Sequence, residues 1–73
     1  MESTERPTDE QVDKLMNAVL KEREVTLNPV QEVKFRHACI KSYMENPDVS
    51  FGDLIIAANI YLNYILRFPD LSL

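Results

Sequence analysis

Between Thr8 and Arg23 the apolar residues Val12, Leu15, Met16, Val19 and Leu20 recur at spacings of three and four. That period puts them on one side of a helix and leaves Glu10, Asp13, Lys14, Asn17 and Lys21 on the other. The pattern predicts an amphipathic helix over about residues 9–23, opened by Thr8, with Gln11 three residues on to complete a capping box. Glu10 precedes Lys14 by four residues, the favourable order, and exposed charge is sufficient to account for the polar side. A second start signal is Asn28 followed by Pro29: Asn accepts from the first amides of a helix, and Pro needs no donor at the first helical position. The helix it opens is expected over 29–45, because Pro47 disfavours helical geometry at the residue before it. A third helix, over 51–67, is expected after Ser50, with Asp53 in its first turn and Pro69 beyond its end.

The middle helix is the ambiguous one. At 100° per residue, Val30, Val33, His37, Ile40 and Met44 make one apolar stripe, while Phe35, Cys39 and Tyr43 make another on nearly the opposite side. Two arrangements satisfy this pattern: the middle helix lies between the other two and buries both stripes, or one stripe is left over for a partner. In the third helix Asn59, Asn63 and Arg67 form only a narrow polar seam, and Ile55, Ile56, Ile60, Leu62, Tyr64 and Leu66 occupy the rest of the circumference. A helix so apolar is expected to be central. One amphipathic helix and two apolar ones provide little cover, however, so an apolar patch is expected on the folded monomer.

Composition places these helices in an all-α fold: a compact three-helix domain, residues 8–73, preceded by a disordered acidic tail, residues 1–7, and closed by a short extended C-terminal segment. Seventy-three residues make one small domain, and a domain of that size buries only about 60% of its unfolded surface and gains from a partner. The charge is localised. Glu2, Glu5, Asp9, Glu10 and Asp13 against Arg6 account for the whole net charge of −4, and the remaining residues balance. Such an end either steers the protein toward basic protein surfaces or only keeps it soluble. The polar opening does not read as a secretory signal, and one cysteine, Cys39, cannot form an internal disulfide; a buried thiol in a reducing cytoplasm is expected.

Candidate chemistry is sparse. His37 sits in an apolar stripe and reads as a core-edge residue; with one His and one Cys in the chain, a zinc site is not expected. Ser42 lies five positions from His37, which does not bring the two side chains together on a helix, and no glycine-rich loop is present to hold phosphate. No enzyme activity and no cofactor are expected. Lys34 and Lys41 share a face with Arg36 turned away, but the third helix offers only Asn59 and Asn63 to read bases, which speaks against nucleic-acid binding. The run Leu54–Leu66 is too short to span a bilayer. At the C-terminal end Phe68, Leu71 and Leu73 are apolar anchors, either packed back on the third helix or offered to another protein.

In length, in the acidic opening "MESTERPTDE" and in its small helical body, the chain resembles the small phage-encoded inhibitors of bacterial RNA polymerase. The resemblance implies binding to polymerase subunits and interference with promoter-specificity factors, by occupation without turnover, in a host cytoplasm. The expected function is therefore that of a protein-binding regulator. The alternatives are a self-associating assembly subunit that dimerises through its apolar surplus, and a small DNA-binding regulator. The residues expected to meet a partner are Glu2, Glu5, Arg6, Lys34, Phe35, Arg36, Lys41, Tyr43, Phe68 and Leu71.

Overall fold

The computed structural model describes residues 7–68. Three helices make up the fold: α1 (Asp9–Arg23), α2 (Pro29–Glu45) and α3 (Phe51–Arg67). The expected start signals begin all three. Thr8 Oγ1 accepts from the Gln11 amide at 3.1 Å while the Thr8 amide donates to Gln11 Oε1 at 2.8 Å, so two otherwise unpaired donors are satisfied reciprocally. The same box recurs at Asn28 and Gln31, at 2.8 and 3.1 Å, a reciprocity that the Asn-Pro start signal had not disclosed. At Ser50 only half the box forms, with the hydroxyl accepting from the Asp53 amide at 3.3 Å.

Helix ends are set as locally as their starts. α1 stops where Glu24 enters the left-handed region at φ 52°, ψ 47°, and the amides of Val25 and Glu24 turn back to the carbonyls of Leu20 and Lys21. A glycine is the usual occupant of that conformation, since a side chain there crowds the following carbonyl. α2 ends at Asn46, whose amide and side-chain Nδ2 both donate to the Ser42 carbonyl at 3.1 Å, just ahead of Pro47.

Every pair of helices is in contact. The core takes Val12, Leu15, Met16 and Val19 from α1, Phe35, Ala38 and Cys39 from α2, and Leu54, Ala58, Leu62 and Ile65 from α3. Polar contacts between helices set their directions. Tyr43, near the end of α2, donates to the Gln11 carbonyl near the start of α1 at 3.2 Å, and a groove between the two helices brings Leu20, late in α1, together with Glu32 and Val33, early in α2, so α1 and α2 run in opposite senses. Lys14 lies 5.1 Å from the Phe51 ring centre, while Arg23, at the far end of α1, bonds Asn59 and Asn63; α1 and α3 therefore run the same way. The bundle is up-down-up.

Of the two arrangements open to α2, the structure has the one that leaves a stripe uncovered, and the expectation of a central α3 is corrected. α2 does not lie sandwiched with both stripes buried: the Phe35 and Cys39 side is in the core, with Ala38 and Ser42, while Val30, Val33 and Met44 are exposed. α3 is not enclosed either, for Ile56, Ile60, Tyr64 and Leu66 face outward. The reason is geometric. Three helices in mutual contact give each one an inner arc facing two neighbours, and the opposite arc has nothing to cover it. The polar side of α1 is also more than solvated charge, because Asp13 and Lys14 both make contacts to other helices.

Candidate protein-binding face

The inner stripe of α2 determines what the outer one can be. Phe35 and Cys39 are fully buried, and the small side chains of Ala38 and Ser42 let the neighbouring helices approach closely. Ser42 Oγ donates to the Ala38 carbonyl at 3.0 Å, which satisfies the hydroxyl without a partner from another helix. Burial pushes the Cys39 thiol up to about 12, opposed by the nearby Arg36 charge, so it stays protonated and unreactive. With that side committed to the core, the remaining stripe of α2 faces out: Val30 is 65% exposed, Val33 56% and Met44 47%, with Ile40 half-buried beside them.

His37 lies in the same outward stripe and is exposed, not at the core edge as its position suggested. It stands on the opposite side of α2 from buried Ser42 and Cys39, so the three groups do not form a nucleophile-and-base arrangement. Among the described residues no group of three or more His, Cys, Asp or Glu side chains could hold a metal ion. A small open groove of about 250 Å³ between α1 and α2 is lined by Asp13, Met16, Leu20, Glu32, Val33 and Arg36, together with Asn17.

α3 adds a second exposed apolar row, Ile56, Ile60 and Tyr64, continued by Phe68 just past the helix end; the Tyr64 and Phe68 ring centres are 6.3 Å apart. The polar seam of α3 is used internally. Arg23 donates to Asn59 Oδ1 at 3.0 Å and to Asn63 Oδ1 at 2.9 Å, which ties the end of α1 to α3. Between α2 and α3 the junction is marked by Tyr61, whose hydroxyl donates to Glu45 at 3.1 Å and whose ring lies 5.9 Å from Lys41 Nζ.

The residues expected to meet a partner are thus distributed unevenly. Phe35 is in the core and cannot reach a partner while the domain is folded, because the stripe that carries it is the buried one. Arg36 is held within the bundle by Asp13 at 2.6 Å and Asp9 at 3.2 Å, and those bonds raise its affinity for the proton further. Tyr43 is half-buried over α1, and burial, then the neighbouring Cys39, raises its hydroxyl pKa. Lys34 is half-buried, Lys41 is exposed, and Phe68 is exposed at the end of α3. Glu2, Glu5, Arg6 and Leu71 lie outside the described residues, as do the expectations of a disordered acidic tail and of an extended C-terminal segment. The outward apolar residues Val30, Val33, Met44, Ile56, Ile60 and Tyr64 were missing from that set. For those on α2 the signal was present in the alternation of threes and fours from Val30 to Met44, and for those on α3 in the four-residue spacing of Ile56, Ile60 and Tyr64.

No helix among the described residues is long and apolar enough to cross a membrane. Compared with protein-family models, with curated proteins and with solved structures, the chain matches none of them.

Proposed function

We propose that this protein is a non-enzymatic binding module that acts by occupying a surface of another protein through the outer side of α2 and α3. The observation that carries the reading is the pair of exposed apolar rows, Val30, Val33 and Met44 on α2 and Ile56, Ile60 and Tyr64 on α3. Large apolar side chains left outward in a row along a helix are a characteristic of binding surfaces, whereas singly scattered ones need no explanation. Action by occupation is supported by the state of the reactive groups: the Cys39 thiol and Ser42 hydroxyl are inside the bundle, and His37 is outside it.

The sharpest form of the proposal is inhibition of a bacterial RNA polymerase at initiation, and its support is the resemblance in length, acidic opening and helical body. Purified polymerase holoenzyme, assayed for promoter-dependent initiation with increasing amounts of this protein, tests that form. Inhibition that saturates, and that preincubation with promoter DNA weakens, is the expected result. Unchanged initiation at protein concentrations far above that of the enzyme would remove the polymerase from the proposal.

A further inference from the structure

We propose that the outward row of α3 pairs with the same row of a second copy of this chain, the two helices running antiparallel about a two-fold axis at Ile60. The inference goes beyond the binding reading above, and its test needs no other protein. The row consists of Ile56, Ile60 and Tyr64, spaced by four and all exposed, while Leu54, Ala58, Leu62 and Ile65 hold the opposite side of the helix in the core. At 100° per residue Ile56 and Tyr64 lie within about 40° of Ile60, one on either side. From Leu54 to Leu66 α3 has no charged residue, so such a pair buries no charge at its centre.

The ends of the row choose the occupant. Asp53 lies seven residues before Ile60 and Arg67 seven after it. That spacing returns both to within about 20° of the direction of Ile60. Both are exposed, and among the described residues neither side chain is in an ion pair. Each suits its own end of the helix dipole, which accounts for the two signs. Their equal distance from Ile60 makes the row its own complement. An antiparallel pair centred there sets Asp53 of each copy opposite Arg67 of the other, sets Ile56 opposite Tyr64, and brings Ile60 against itself. Parallel pairing sets like charges together at both ends, which opposes it. The α2 row has Val30 and Met44 at the corresponding places about His37, so no charge there selects an occupant. A single helical row is a small interface, which makes the association weak and reversible. A protein partner that covers Ile60 displaces the second copy, so the dimer competes with such a complex.

Sedimentation equilibrium of the full-length protein, from about 10 µM to about 1 mM, should show a monomer–dimer equilibrium with a dissociation constant on the order of 100 µM. Ile60→Glu, at an exposed position, should weaken it by at least about tenfold. Asp53→Arg and Arg67→Glu, each placing like charges opposite one another, should each weaken it by about fivefold. The double variant Asp53→Arg, Arg67→Glu should regain the wild-type value, and all variants are checked for an intact melting transition. If a charge variant does not fold, oxidation of Ile60→Cys decides: it should yield a disulfide-linked dimer, because the axis brings that position against its own copy, and Ile56→Cys should not. Cys39 is buried and stays out of that reaction. A protein that is monomeric throughout, a dimer that survives Ile60→Glu, or charge variants that leave the dimer unchanged or fail to recover when combined would each overturn the proposal. Equal cross-linking through Ile56→Cys and Ile60→Cys would do the same.

Discussion

Cys39 shows how far burial alone fixes the behaviour of a side chain. Its thiol is fully enclosed by the core, and burial pushes it up to about 12 in the folded state from an ordinary value of 9.0. The folded value is the higher one, so the stability it represents is complete below about pH 9 and is lost as pH rises toward 12. Tyr43 and Tyr61 shift in the same direction, in each case first through burial. Urea unfolding should therefore show the protein weakening by about 2 kcal/mol between pH 9 and pH 11. Cys39→Ala should have a flatter profile over that range, and an unchanged slope contradicts the assignment. The contrast between the two sides of α2 is tested in the same way. Phe35→Ala should cost about 3 to 5 kcal/mol by opening a cavity, whereas Val33→Gln, on the exposed stripe, should stay within about 0.5 kcal/mol. Comparable losses for the two would mean that the outer stripe is also holding the fold.

At the scale of the elements, the helices and their starts were legible because each signal is local: Thr8 with Gln11, Asn28 with Pro29, and Ser50 with Asp53 each lie within four residues. The inner side of α2 was not legible from its large residues, since Phe35, Cys39 and Tyr43 compete with a longer apolar stripe opposite. Ala38 and Ser42 were the better guide, because close helix approach needs small side chains, and both are buried. Partners separated by many residues, such as Arg36 with Asp9 and Asp13, or Arg23 with Asn59 and Asn63, left no mark in local spacing. The end of α1 falls where the apolar period stops, at Arg23, but its geometry was hidden, because glutamate at position 24 gives no sign of the left-handed turn that glycine would. Glu24→Gly should relieve that conformation and raise the unfolding free energy by about 0.5 to 1 kcal/mol, measured by urea denaturation. A loss of stability would show that the glutamate side chain contributes more than its backbone costs.

For the whole molecule, mutual contact of three helices explains both what is buried and what is left out. Leu54, Ala58, Leu62 and Ile65 occupy the inner arc of α3 and Ile56, Ile60 and Tyr64 the outer, so a helix apolar nearly all round sits in a bundle that covers only half of it. The surplus is what the proposed function uses. The most direct test compares the wild-type protein with the double variant Val33→Glu, Ile60→Glu for equilibrium binding to purified bacterial RNA polymerase, with urea unfolding of both proteins as the reference. Both sites are exposed, so the variant should keep its unfolding free energy to within about 1 kcal/mol while its affinity for the polymerase falls by at least about tenfold. Equal affinities for the two proteins would contradict the account, and no binding by the wild type would remove the polymerase from it.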